Sequence, residues 1–279
     1  MTSDAVTSDR DRLSGYVASW RSAVDDVVSL LRSLDDAEWS RPTDLPGWDV
    51  KGVACHLAHI ESDLAGVKQR RVEVPEADHL TAPTSVFTEM GLVARAEMSP
   101  AEVVDELEEC VRTRHEALLA DPPSDGKADP PRTPGKIGWN WETLLNNRVV
   151  DVWMHEQDIR RAVGRPGGLN TPGAAHTVGA FTRSFPYIVG KKAAAPAGTT
   201  VVLDVTGVSP VHLAVEVDDT GRASVVTTDP AAPTVSLRMD VETFVVLAGG
   251  RRPVDAVQVE VTGDDELGRR VLEAMAVTP

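Results

Sequence analysis

The sequence has 279 residues, of which 42% are hydrophobic, and a formal net charge of −15. This length fits one large domain or two ordinary ones, and the negative charge argues against nucleic acid and anionic membrane surfaces, since both attract basic patches. No apolar run approaches the roughly 18–20 residues of a membrane span, and the polar start lacks the features of a signal peptide. Two cysteines exclude a disulfide scaffold, so we expect a cytoplasmic protein.

The first part of the sequence has the apolar spacing of helices. One apolar stripe runs over about residues 11–34, and a turn rich in proline and glycine (RPTDLPGW) follows it. Asp49 can cap a second helix that continues to about Gln69. Residues 71–83 are polar and predict a loop, and a short helix is expected over residues 86–96.

Two further long helices complete this part. Ser99, Pro100 and Glu102 form the start of a helix, because a serine cap, a proline at the first position and a glutamate three residues after the cap all favour it. A proline-rich connection follows, and a last helix is predicted over residues 141–163, ending at the glycines of GRPGG. Four long helices of this kind predict a bundle.

The remainder of the chain changes in character. Residues 172–189 predict a bridging helix, and the segments TTVVLDV, VHLAVEVD, ASVVT, PTVSLRM and VQVEV alternate as strands of an antiparallel sheet do. Two helices, VETFVVLAGG and DELGRRVLEAM, flank the last strand. The order indicates an α+β protein. We place the helical domain at 1–168 and the smaller domain at 169–279.

Four polar residues of the last bundle helix share one side of it. Asp151 precedes His155 by four residues, Arg148 precedes it by seven, and Asp158 follows it by three. An aspartate and a histidine four apart on a helix can bind one metal ion, as the histidine pairs of helical zinc sites do. An ordinary ion pair has the same spacing, so the pattern alone leaves both interpretations open.

His56 lies in the second helix between apolar neighbours, which suggests that it faces the bundle interior. Metal ligands of helical bundles project inward from facing helices. A histidine in such a place can equally be a core residue with satisfied hydrogen bonds.

Three segments resemble one family. LPGWDVKGVACHL is similar to the second-helix signature of the mycothiol-dependent maleylpyruvate isomerase family, within the DinB-like group of metal-binding four-helix bundles. RVVDVWMHEQDIRRAVGRP resembles the family's fourth-helix signature. The tail, with ETFVVLAGGRRP and VEVTGDDELGRRVLEAMAVTP, resembles its sterol-carrier-like C-terminal domain. The three segments occur in the family's order and cover most of the chain.

The resemblance implies a metal site formed by His56, Asp151 and His155. The family's acidic ligand is a glutamate, so the shorter Asp151 is a departure that weakens the expectation of the same substrate. Nitrogen and oxygen donors without thiolate favour Zn²⁺, with Ni²⁺, Co²⁺ or Fe²⁺ as alternatives.

The resemblance also implies mycothiol as co-substrate of a transferase or isomerase. Three protein ligands leave a coordination position open, where a metal-bound thiol would ionise and attack a small electrophile. Asp158 is expected to orient a ligand histidine, and Arg148 and Arg251 to hold polar groups of the substrate or thiol. His59, one turn after His56, is expected to line the substrate pocket, although a fourth ligand stays open.

Two alternatives remain at this point. An open metal site serves equally a hydrolase or lyase that uses bound water. The other alternative is a non-catalytic protein that binds an apolar small molecule and contains a structural metal. We expect a monomer or a homodimer with small-molecule partners, and the sequence does not identify the electrophile.

Overall fold

The computed structural model describes residues 8–278. Residues 1–7 and residue 279 lie outside the described chain. The expectation about the polar start depends partly on residues 1–7. The protein divides into two compact units, and the division falls between Gly168 and Leu169.

The first unit is helical. Two pairs of long helices pack side by side, α1 with α5 and α2 with α4, and α1–α4 and α2–α5 contacts join the pairs into a four-helix bundle. The short α3 packs against α2. The bundle confirms the predicted fold class of this part. The helices are α1 (Asp9–Arg32), α2 (Val50–Leu64), α3 (Pro83–Ala94), α4 (Pro100–Ala120) and α5 (Trp141–Val163).

The helix ends follow the capping residues. The Asp49 side chain accepts the backbone N–H of Gly52 at 2.7 Å, and the Ser99–Glu102 capping box starts α4, both as predicted. Gly164, with φ +69°, ends α5 in the left-handed conformation that glycine tolerates.

Helix α2 is shorter than predicted, since it ends at Leu64 and not near Gln69. Gly66 adopts φ +84°. The backbone N–H of Val67 then donates to the carbonyl of Ser62 at 2.9 Å. This Schellman arrangement satisfies the last carbonyls and turns the chain away.

The position of α2 brings polar groups into the core. All of its residues are buried except Lys51 and Asp63. The buried set includes His56, His59 and Glu61, which therefore face protein groups and little water.

The second unit combines helices with one five-stranded sheet of order β3-β2-β1-β4-β5. Its interior lies between the apolar residues of the sheet, such as Val201, Leu203 and Leu237, and those of the helices, such as Phe244 and Val271. The elements are α6 (Pro172–Tyr187), β1 (Thr200–Thr206), β2 (Val211–Val217), β3 (Ala223–Val226), β4 (Val235–Asp240), α7 (Val241–Ala248), β5 (Glu260–Gly263) and α8 (Asp265–Glu273).

The sheet is mixed, which corrects the expectation of a wholly antiparallel one. β1 pairs with β2, β2 with β3 and β4 with β5 in antiparallel fashion, but β1 and β4 are parallel. The chain between β3 and β4 crosses from one side of the β1–β2–β3 meander to the other. Because of this crossover, β4 runs in the same direction as β1. Within residues 8–278, each helix is too short or too polar to cross a bilayer.

Candidate metal centre

Helices α2 and α5 bring three side chains together in the bundle. His56 Nε2 lies 3.4 Å from Asp151 Oδ2, and His155 Nε2 lies 3.6 Å from Asp151 Oδ1. One possible ligand atom from each of the three residues lies within 4.8 Å of the other two. The two imidazole rings meet edge to face, with centroids 4.7 Å apart.

These separations suit a divalent cation. Zinc binds nitrogen and oxygen at about 2.0–2.2 Å, so two ligands of a tetrahedral site are about 3.4 Å apart. Neither ring nitrogen of His56 has a hydrogen-bond partner within the described chain, although the residue is buried. A buried polar atom without a partner is costly, and a metal ion would satisfy Nε2. The residues therefore fit the divalent cation that the resemblance implies.

Charges around the site favour an ionised carboxylate. Burial raises the pKa of Asp151, but Arg148 and the two histidines outweigh burial and hold that pKa well below its usual range. Burial lowers the pKa of His56. For His155 burial also lowers the pKa, but Asp151 and Asp158 outweigh it and raise the pKa above the ordinary value.

A chain of hydrogen bonds leads away from His155. Its Nδ1 lies 3.0 Å from Asp158 Oδ2, and Asp158 is completely buried. Arg161 donates to Asp158 Oδ1 at 2.5 Å and to Asp44 Oδ2 at 2.8 Å. With Nδ1 turned to a carboxylate, the Nε2 lone pair of the neutral ring faces Asp151 and His56, as in ligand histidines of known metal sites.

Arg148 is buried behind Asp151. It donates through Nη1 to Asp151 Oδ2 at 2.8 Å and through Nε and Nη2 to Glu61 Oε1 at 3.0 and 2.9 Å. Only 1% of the residue is exposed. Arg148 thus holds the Asp151 carboxylate, and its predicted contact with the substrate or thiol stays a prediction.

An aromatic residue from the turn before α2 covers the two histidines. The Trp48 ring centroid lies 5.1 Å from that of His56 and 6.1 Å from that of His155. Its Nε1 donates to Glu89 Oε2 at 3.0 Å, which ties the ring to α3. Trp48 therefore forms part of the wall of the candidate site.

His59 lies on the same helix as His56 but outside the three-ligand cluster. Its Nδ1 is 3.0 Å from Gln69 Oε1, its ring packs against Phe87 at 4.7 Å, and Arg95 lies nearby at 3.5 Å. Burial lowers the pKa of His59 to about 4, and Arg95 adds to this. His59 is thus neutral at physiological pH, and its Nε2 has no hydrogen-bond partner among the described residues.

Arg251 belongs to the second unit, in the turn after α7. Its Nη1 donates to the carbonyl of Gly249 at 2.7 Å. The predicted role of Arg251 in binding substrate or thiol stays a prediction.

Several residues that support the site carry no clear signal in the sequence. Glu61, Arg161, Asp44 and Trp48 have no spacing pattern that marks them. Glu61 is followed directly by Ser62 and Asp63 in α2, so its charge alone gives no signal in the sequence.

Two family models match the chain in succession. The mycothiol maleylpyruvate isomerase N-terminal domain matches residues 20–160, and the C-terminal domain of the same family matches residues 175–270. The chain belongs to the mycothiol maleylpyruvate isomerase family. In this family context, the bundle with the three candidate ligands is the N-terminal domain, and the unit with the mixed sheet is the C-terminal one.

Individual proteins share the fold of this chain or part of its sequence. Two crystal structures of the mycothiol-dependent maleylpyruvate isomerase, one of a histidine-to-alanine mutant, share the fold with TM-scores of 0.53 and 0.52 at 17% and 18% identity. Each comparison covers 92% of this chain and 96% of the other. Two uncharacterized proteins from two strains of Mycobacterium tuberculosis are 28% identical over 184 residues, 62% of this chain. The match spans 66% of the length of those relatives.

Proposed function

We propose that this protein is a metal-dependent enzyme that uses mycothiol. It would either isomerise a small electrophile or transfer the thiol to it. The family membership supports the thiol, and the cluster of His56, Asp151 and His155 supports the metal. The observation that carries the proposal is the spacing of the cluster, with 3.4 and 3.6 Å between Asp151 and the two histidines.

His56, Asp151 and His155 would hold the ion, with zinc favoured by the donor set. A divalent cation bound there would lower the pKa of a thiol in the open coordination position. Asp158 holds the proton of His155 on Nδ1 and so presents Nε2 to the site. Arg148 orients the Asp151 carboxylate through a 2.8 Å hydrogen bond.

The thiolate of mycothiol would then act as the nucleophile. Addition to a conjugated double bond, rotation and loss of the same thiolate isomerise the substrate, whereas loss of a different leaving group completes a transfer. Trp48 limits the access of water to one side of the two histidines, and we propose that His59 lines the substrate pocket. We propose that Arg251 binds a carboxylate or another polar group of the thiol or substrate.

The test begins with metal content. We expect the purified wild-type protein to contain about one divalent ion, and His56→Ala, Asp151→Ala and His155→Ala each to lose it, because two ligands alone bind far more weakly. Elemental analysis measures the content, and isothermal titration with mycothiol measures thiol binding before and after removal of the metal.

A matched control is His176→Ala, which removes a histidine of the second unit and should keep the metal. A stoichiometric metal content in all three ligand variants would refute the metal site. Mycothiol binding that is equal with and without metal would refute the role of the metal in thiol binding.

A further inference from the structure

A buried carboxylate lies behind the candidate ligands. Glu61 has no solvent exposure, and it accepts four hydrogen bonds. The donors are Trp20 Nε1 at 3.0 Å, Arg114 Nη1 at 2.7 Å, and Arg148 Nε and Nη2 at 3.0 and 2.9 Å. Burial raises the pKa of Glu61, but Arg114 and Arg148 outweigh it and lower that pKa below the ordinary value. Glu61 is therefore ionised at neutral pH.

Arg148 connects this carboxylate to the candidate site. Two of its nitrogens donate to Glu61, and the third, Nη1, donates to Asp151 Oδ2. The guanidinium is a rigid planar fork. Because all three nitrogens are engaged, the position of Glu61 determines the position of Arg148 and, through it, that of the Asp151 carboxylate.

The charges of the network point to the same connection. Glu61 and Asp151 are negative, Arg114 and Arg148 are positive, and the four charges cancel. If Glu61 were neutral, an uncompensated positive charge would lie next to a site that must accept a dication. Arg148 would also hold Asp151 more strongly and compete with the cation for its oxygen. Both effects are strong in a buried environment of low dielectric constant.

We propose that Glu61 is a positioning residue of the metal site: by fixing and neutralising Arg148, it sets the orientation and the availability of Asp151 and so the affinity for a divalent cation. The inference rests on the proposed function, since it assumes that Asp151 is a metal ligand.

A purely structural role makes a different prediction. Glu61 on α2 also joins α1, α4 and α5 through Trp20, Arg114 and Arg148. If that were its entire role, loss of its charge would lower the resistance of the protein to urea but leave the metal affinity of the folded protein unchanged. Metal affinity therefore distinguishes the two roles.

The experiment uses the whole 279-residue chain, freed of metal, and Co²⁺ as the probe. The visible absorption of bound Co²⁺ gives the Kd for Glu61→Gln, which removes the charge, and for Glu61→Asp, which keeps the charge but withdraws the carboxylate. The control is Glu106→Gln, which takes the carboxylate from another buried arginine, Arg95. Circular dichroism confirms that each variant is folded at the temperature of the titration.

We expect the Co²⁺ Kd of Glu61→Gln to rise by about 10- to 100-fold, the usual effect of losing a group that orients a ligand. Glu61→Asp should also bind more weakly, and Glu106→Gln should bind as the wild type does. If Glu61→Gln does not fold, Glu61→Asp decides, because it preserves the charge balance of the network.

Wild-type Kd values in the folded Glu61 variants would overturn the inference and leave the proposed function intact. A wild-type protein that binds neither Co²⁺ nor Zn²⁺ would overturn both. The two failures are thus distinguished by the wild-type titration alone.

Discussion

His155 has two ring nitrogens in different surroundings, and its orientation depends on which one carries the proton. Nδ1 faces Asp158 at 3.0 Å, and Nε2 faces Asp151 at 3.6 Å. An ionised Asp158 can only accept a hydrogen bond, so it keeps the proton of the neutral ring on Nδ1. The lone pair of Nε2 is then available for a metal ion.

This arrangement predicts the effect of Asp158→Asn. The amide can turn its NH₂ group to Nδ1 and move the ring proton to Nε2, where it opposes metal binding. We expect the affinity for Zn²⁺ to fall by about tenfold or more, measured by competition with a chromophoric chelator.

Asp44→Asn is the graded control for this prediction. Asp44 reaches His155 only through Arg161 and Asp158, so its loss should have a smaller effect. Equal affinities in the wild type and Asp158→Asn would contradict the proposed orientation of His155.

At the scale of elements, α5 is the principal scaffold of the site. Arg148, Asp151, His155 and Asp158 are three or four residues apart, so one helix places them on one side at fixed distances. Helix α2 contributes His56 from the facing side, and it is buried along nearly its whole length. A rigid helix positions ligands more accurately than a loop does.

In the second unit, an ionic cluster joins β1, β2 and the segment after β3. His212 of β2 lies opposite Asp204 of β1 in the strand register. Its Nδ1 is 2.6 Å from Asp204 Oδ1, and its Nε2 is 2.9 Å from both oxygens of Asp229, which follows β3. The hydrogen bonds to Asp204 and then to Asp229 raise the pKa of His212 above its ordinary value.

A raised pKa in the folded protein predicts the direction of a pH effect. The cluster stabilises the fold fully below the unfolded pKa of about 6.5, and the stabilisation is lost as pH rises through the folded pKa. Because the cluster is exposed, we expect His212→Gln to lower the free energy of unfolding at pH 6 by less than about 1 kcal/mol and to have little effect at pH 9.

Urea unfolding of the wild type and His212→Gln at the two pH values measures this difference. Asp229→Asn, which removes one of the two carboxylates, should show part of the effect at pH 6. A difference between wild type and His212→Gln that is the same at both pH values would contradict the prediction.

At the scale of the molecule, the three candidate ligands and the residues that support them all belong to the first unit. The family model of the C-terminal domain nevertheless covers residues 175–270. We propose that Arg251, in the second domain with 169–279 as its predicted bounds, binds the thiol or the substrate.

Arg251→Ala tests this role. It should keep the metal content and the fold but weaken thiol binding or turnover by about 1.5–3 kcal/mol, as expected for a hydrogen bond to a charged group. Calorimetry with mycothiol and metal analysis measure the two properties separately. Arg252→Ala, the adjacent arginine, should change neither, and wild-type thiol affinity and rate in both variants would exclude a part for Arg251.

The sequence by itself determined the features that depend on near neighbours in the chain. Caps such as Asp49 and Ser99 specify helix starts through hydrogen bonds to residues three positions away. The spacing of Asp151, His155 and Asp158 specifies a shared helix side for the same reason. The resemblance of the signature segments added His56 to Asp151 and His155. Periodicity alone cannot predict that His56 on α2 lies next to α5.

Only the tertiary structure decided which distant groups meet. Glu61 and Arg148 are 87 residues apart in the chain, and Asp44 and Arg161 are 117 apart. The parallel pairing of β1 with β4 likewise joins strands that are not consecutive. Side-chain periodicity defines which face of a helix or strand is buried, but the same buried face can pack against several partners. Partner choice follows from the fit of the whole core, which is a property of all the packed elements together.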